Sequence, residues 1–216
     1  MDNKEQIKTI YREAFEKHGD SSQAVLWIKG RQEERFMALT KNIPKGKKGF
    51  SVLDFGCGLA HFKSFLDRHF EDVSYTGVDM MEEFLQHNKK KFTDAVLLSP
   101  EEFKQECKEY DYIFSSGAFN IKYTEDTEAH KKIIKEIFVD LFCITREFMA
   151  IDFMTNQVDF MQEGAYHADP LEISAFCINK LSRRVQLDHS YLPYEFCVTV
   201  FKKNNIIRPA NIYSNA

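Results

Sequence analysis

Little in this chain of 216 residues points outward to a membrane, a disulfide scaffold or a nucleic acid. No apolar run approaches the ~18 residues that a membrane-spanning helix needs, and the N-terminus is polar from Asp2 onward. A cytoplasmic protein without a membrane partner is expected. The cysteines are odd in number, Cys57, Cys107, Cys143, Cys177 and Cys197, with no Cys-x-x-Cys spacing, so reduced thiols are expected. Lys plus Arg number 29 against 33 Asp plus Glu, a net charge of −4, and the positive excess that a phosphate backbone demands is missing. Two basic runs, Lys45-Gly46-Lys47-Lys48 and Lys89-Lys90-Lys91, read as solvated surface, the second at the C-terminal end of a predicted helix, where cations suit the dipole. The seven histidines show no paired ligand spacing, so no metal site is expected. Internal repeats and Pro/Gly-rich linkers are also missing, and the length is short for two ordinary domains. A single domain over 1–216 follows.

What is present is an alternation of strand and helix signals, rich in Phe, whose 20 copies read as core packing. Ile7, Ile10, Tyr11 and Ala14 mark an amphipathic helix over 4–17, and a second helix is predicted over 24–41. Strand signals follow at Val52–Phe55, Tyr75–Asp79, Ala95–Leu98, Asp111–Ser115 and Phe148–Asp152. Helices are predicted over 59–70, 82–92, 125–144 and 170–181, with a short one begun by Ser99-Pro100. The signal before 170–181 is the fullest: Asp169 as N-cap, Pro170 at the first helical position and Glu172 three residues after the cap. Arg184–Asp188 and Phe196–Phe201 flank Leu192-Pro193-Tyr194 too closely for a crossover helix, so they form an antiparallel pair.

The most informative segment is Ser51-Val-Leu-Asp54-Phe-Gly56-Cys57-Gly58, a buried strand that ends in an acid and opens into two glycines at a strand-to-helix turn. Asp79 ends the next strand about 20 residues beyond Gly58, the spacing of a carboxylate that takes ribose hydroxyls. A dinucleotide loop would want Gly or Ala where His61 stands, which weakens a nicotinamide or flavin reading.

Asp54-Phe-Gly56-Cys57-Gly58-Leu-Ala60 resembles the first motif of class I S-adenosylmethionine (SAM) dependent methyltransferases, acid-x-Gly-x-Gly-x-Gly, with Ala60 for the third glycine. The resemblance spans about 48–203. It implies a Rossmann-like α/β fold: a seven-stranded, mostly parallel sheet with an antiparallel last strand and helices on both faces. Residues 1–44 then form an N-terminal helical lid over a core of 48–203. Three further segments resemble a poorly characterised group of small bacterial methyltransferases: Trp27 to Phe36, Gly117-Ala-Phe119-Asn120 and Tyr166-His167-Ala-Asp169-Pro170.

Under this resemblance SAM is the cofactor. Gly56, Cys57, Gly58 and Ala60 line its methionine portion, Asp79 its ribose and Met80 its adenine. Ser99, Pro100 and Glu101 are weaker adenine candidates, since a helix start accounts for the same residues. Ser116 follows the fourth strand, and Trp27 with Arg35 closes the pocket, Arg35 or Gln32 holding the methionine carboxylate. Asn120 and Tyr123 face the acceptor, with His167 as the best general-base candidate because imidazole titrates near neutrality. Asp152 is expected to orient the acceptor, and the Tyr191–Tyr194 turn to wall the pocket. Methyl transfer to oxygen or nitrogen of a small molecule is the expected activity, by a monomer or homodimer. A nicotinamide-dependent oxidoreductase and a non-catalytic SAM-binding module are the rivals.

Overall fold

The computed structural model describes residues 3–27 and 31–202. Two helices, α1 (Asn3–His18) and α2 (Gln32–Thr40), precede β1 (Lys48–Phe55), α3 (His61–His69), β2 (Glu71–Val78), α4 (Glu82–Lys91), β3 (Val96–Leu98) and α5 (Pro100–Phe103). Then come β4 (Tyr110–Ser115), α6 (Thr127–Cys143), β5 (Thr145–Met154), α7 (Pro170–Lys180), β6 (Val185–Leu192) and β7 (Glu195–Phe201). The seven strands lie in the order β3-β2-β1-β4-β5-β7-β6. β7 pairs antiparallel with both β5 and β6, and the other pairs are parallel.

Burial on both faces explains the near-continuous apolar strands. Successive side chains point to opposite faces, so Val52, Tyr112, Phe114, Phe148 and Ala150 pack with α2 and α3 through Phe36, Phe62 and Phe65. Their neighbours Leu53, Ile113, Met149 and Ile151 pack on the other face with Ile134, Phe138 and Ile173 from α6 and α7. Helix starts obey their local chemistry. Ser99 and Glu102 form a reciprocal capping box on α5, and Asp126 and Asp169 accept the first amides of α6 and α7.

The chain reverses winding direction between β1 and β4, so the loops that leave these two strands lie side by side at the carboxyl edge. That edge is where ligands bind in open α/β sheets. Several strands run longer than their apolar signal, because sheet pairing extends β1, β2 and β5 into polar flanks.

The larger correction concerns the second helix. Instead of 24–41, it begins at Gln32. Residues 21–26 are turns, with the Trp27 amide donating to the Ser22 carbonyl at 2.8 Å and Leu26 at φ 63°, a left-handed conformation no helix continues through. Residues 28–30 of that expected helix, and residue 203 of the expected core, lie outside the described residues.

α2 is fastened to the sheet by charge as well as by Phe36. Arg35 and Glu195 are both buried, and Nε and Nη2 of the guanidinium donate to the two carboxylate oxygens. This fork geometry recovers part of what desolvation removes. On its other side the guanidinium carbon lies 3.3 Å from the centroid of the Trp27 ring, a cation–π stack. Glu195→Ala leaves a buried guanidinium without its counter-charge and is expected to lower unfolding free energy by about 3–5 kcal/mol in urea titrations. The double replacement Arg35→Met, Glu195→Met is expected to recover most of that loss.

Candidate active site

The loop after β1 is shaped by close approach. Gly56 and Gly58 have φ of 77° and 52°, and a β-carbon on Gly56 would collide with the side chain of Ala118 from the loop after β4. Ala60 also takes a left-handed φ of 52°, as N-cap of α3, showing that the motif's third small position has the same backbone as a glycine would. The amides of Gly56 and Cys57 donate to the Val78 carbonyl at 2.8 and 3.0 Å, so the loop rests on the end of β2.

Asp79 stands where its spacing predicts. Its Oδ2 accepts from the Gly58 amide at 2.8 Å and its Oδ1 from the Met81 amide at 2.9 Å. Two oxygens with one bond each retain lone pairs for further donors. Burial raises its pKa, against the pull of the surrounding amides. Met80 packs against the small cluster of Ala24, Leu59, Met81 and Phe84. Cys57 is buried, and burial with nearby acids pushes its thiol up, which removes it as a nucleophile.

Ser99 and Pro100 follow β3, and the amide of Asp79 reaches the Leu98 carbonyl there at 3.2 Å. The Ser99 hydroxyl and amide are both used in the α5 capping box with Glu102, and Glu101 is exposed.

Across the switch point, Asp152 fixes the turn after β4. It accepts from the Ser116 hydroxyl and the Gly117 amide, both at 2.7 Å. Asp152 is therefore a clamp for the Ser116–Gly117 turn, which the expectation of an acceptor-orienting group did not include. Burial raises its pKa; Arg35 lowers it and Glu195 opposes that. Asn120 is buried, with Oδ1 accepting from the Met154 amide at 2.9 Å and Nδ2 without a hydrogen-bond partner among the described residues. The Tyr123 hydroxyl donates to the Ala118 carbonyl at 3.0 Å, and burial, with Asp79 nearby, pushes its pKa up to about 12. The Tyr191 hydroxyl, buried near Asp152, Cys197, Glu195 and Arg35, also lacks a partner among the described residues.

The general-base reading of His167 meets a contrary geometry. Nδ1 donates to the Thr155 carbonyl at 2.9 Å, and Nε2 accepts from the Gln162 amide at 3.0 Å. Both ring nitrogens fasten the loop to itself, which leaves no lone pair for a substrate proton. Arg35, expected to hold a carboxylate, spends its Nε and one Nη2 donor on Glu195. Gln32 is half-buried at the start of α2.

The N-terminal segment roofs this edge. Trp27 lies so close to Gly117 that a β-carbon there would collide with its ring, and Val25 Cγ1 lies 3.1 Å from where a β-carbon on Gly58 would be. Asp20 ties the segment down through His61 at 3.0 Å, His87 at 3.2 Å and Lys91 at 2.7 Å.

Three contributors escaped sequence reasoning. Asn88 is fully buried and donates to the Gly58 carbonyl at 2.7 Å; a polar residue on the Phe84, Leu85 face of α4 was the signal. His130 on α6 accepts from the Tyr123 amide at 3.2 Å, and burial lowers its pKa, keeping it neutral. Tyr11 was legible only as part of an apolar stripe, yet it packs beside Met81 and Phe84. Among the described residues no group of three or more His, Cys, Asp or Glu is arranged to hold a metal ion. No helix among them is long and apolar enough to cross a membrane.

Asp54, the motif's acid, is buried beneath the glycines and accepts from the Tyr75 hydroxyl at 2.6 Å. Burial pushes its pKa up to about 7, Tyr75 pulling the other way. A carboxyl whose folded pKa lies above its unfolded value stabilises fully below the unfolded value, and that contribution disappears as pH rises through the folded one. Asp54→Asn is therefore expected to flatten the fall in stability between pH 4 and pH 8, measured by urea midpoints across that range.

The sequence profile of the methyltransferase domain family matches residues 52–141, from β1 into α6. Rv1506c of Mycobacterium tuberculosis, designated a methyltransferase, is 29% identical over 161 residues, which cover 71% of this chain and 93% of that protein. Among solved structures, magnesium protoporphyrin IX methyltransferase from Synechocystis PCC 6803 with bound SAM superposes with a TM-score of 0.58 at 15% identity, over 94% of this chain and 98% of the other. The plantazolicin methyltransferase BpumL superposes with a TM-score of 0.62 at 14% identity, over 94% and 100% of the two chains. With its first motif on the β1 loop, its Asp79 at the end of β2 and this sheet order, the chain has the Rossmann-like fold of the class I SAM-dependent methyltransferases, and its residues 52–141 match the methyltransferase domain family.

Proposed function

We propose that this methyltransferase acts on oxygen or nitrogen of a small-molecule acceptor, with Gly56, Gly58, Ala60, Asp79 and Met80 holding SAM. The observation that carries the small-molecule reading is the roof. Val25 and Trp27 cover the Gly58 loop and the Gly117 turn, so the acceptor must enter a site already enclosed by the protein's own N-terminal segment. A polymer would need an open, basic face, and the net charge is −4. The relatives above include a protein named for a tetrapyrrole and one crystallised with desmethyl plantazolicin analogues, which agrees in kind.

The residues present fit the cofactor. The left-handed glycine loop admits backbone where a side chain would collide, and Asp79 keeps lone pairs for ribose hydroxyls. Bound SAM supplies a methyl group on a sulfonium, which is already activated for transfer. The protein's work is then alignment and exclusion of water. Trp27 supplies the cover, and the Ser116–Gly117 turn, clamped by Asp152, sets the wall between cofactor and acceptor. Asn120 Nδ2 and the Tyr191 hydroxyl are buried donors without partners among the described residues, and an acceptor bearing lone pairs would satisfy them. His167 contributes by holding its loop, so a base on the protein is not required by this reading.

A thermal-shift panel separates the alternatives. SAM and S-adenosylhomocysteine are expected to raise the melting temperature, corresponding to about 2.7 kcal/mol at a hundred-fold excess over Kd, while NAD leaves it unchanged. Stabilisation by NAD alone would reverse the cofactor assignment. Asp79→Ala is expected to weaken SAM about ten-fold or more in calorimetry, since a charge-assisted acceptor contributes ~1.5–3 kcal/mol.

A further inference from the structure

α1 brings Tyr11 against the residues that follow Asp79. Tyr11 sits edge-on to Phe84 with ring centroids 5.9 Å apart, within the small cluster that also takes in Met80 and Met81, the two residues after Asp79. One turn later on the same helix, Phe15 packs on Phe84 in the same edge-on manner at 5.3 Å with no hydroxyl. Packing alone is thus served by a phenylalanine, and the Tyr11 hydroxyl calls for a separate reason.

We propose that Tyr11 is a cofactor-binding residue: its hydroxyl, carried in by the N-terminal helix, shares with Asp79 and Tyr123 the recognition of a nucleoside's vicinal diol, here the ribose of SAM. This inference rests on the reading of Asp79 as the ribose acid. A diol offers two O–H donors and two oxygen acceptors, and the three groups complement it. Asp79 has lone pairs beyond its bonds to Gly58 and Met81, so it accepts. Tyr123 donates its own proton to the Ala118 carbonyl, which leaves its oxygen to accept. Tyr11 is left to donate. Burial, then Asp79, raises the Tyr11 pKa, so its proton stays in place at any working pH. The consequence is that the cofactor pocket is complete only with α1 docked, and α1 belongs to the binding site as well as to the roof.

Tyr11→Phe keeps the ring contact with Phe84 and removes only the hydroxyl. S-adenosylhomocysteine affinity, measured by calorimetry, is expected to fall about five- to ten-fold while the melting temperature of the ligand-free protein is unchanged. The loss should vanish against the 2′-deoxy or 3′-deoxy analogue of S-adenosylhomocysteine, whichever lacks the hydroxyl that Tyr11 meets. A change of less than about two-fold, or a loss equal for the parent and both deoxy analogues, overturns the inference. Asp79→Ala, run in parallel, separates the levels. If it weakens binding while Tyr11→Phe is silent, only the role of Tyr11 falls; if both are silent, the ribose assignment of Asp79 falls with it.

Discussion

The hydrogen bond from the Gly58 amide to the Asp79 carboxylate joins the ends of β1 and β2, and the rest of the site is arranged around it. A carboxylate buried at a strand end must collect donors, and the nearest are backbone amides of the adjacent loop. Once Gly58 is drawn toward Asp79, its carbonyl needs a donor of its own, which Asn88 supplies from α4. Gly56 is then held against Ala118 at a separation that only glycine tolerates. The two loops at the switch point are thus fixed relative to one another by the close approach of the Gly56 backbone to the Ala118 methyl group.

The region around β5 and β7 depends on a different balance. Asp152, Glu195 and Arg35 share one dry region with the Tyr191 hydroxyl, two acids against one guanidinium. Asp152 resolves its charge by accepting from Ser116 and Gly117, and Glu195 by its fork with Arg35. Burial still lifts the Asp152 carboxyl toward its neutral form. Such a network specifies one arrangement of α2, β5 and β7, because each partner lost would leave a buried charge.

The roof is joined to both halves. Trp27 stacks on Arg35 and abuts Gly117, Val25 abuts Gly58, and Asp20 anchors the segment through His61, His87 and Lys91. Burial works to raise the Asp20 pKa, but Lys91 and the two histidines outweigh it and hold it at about 2. Its contribution is present above the ordinary carboxylate range and lost as the pH falls toward 2. This opposes the behaviour of Asp54, so acid and base limits of stability arise from different ends of the same site.

The linear chain determined the sheet and the turns at its carboxyl edge. The near-continuous apolar runs of β1, β4 and β5, the acid-glycine turn, the capped α7 and the spacing to Asp79 are local signals, and local signals survive in sequence. Tertiary structure decided the rest. The second helix begins late because the chain turns at Leu26 and Trp27 meets Gly117, a contact between residues 90 apart in the chain. His167 bonds through both ring nitrogens to Thr155 and Gln162, and Arg35 found Glu195 at a separation of 160 residues. Tyr11 read only as a member of a helical stripe, since periodicity records which face is buried and not what that face meets. Pairings of this kind are set by the path of the chain across the sheet.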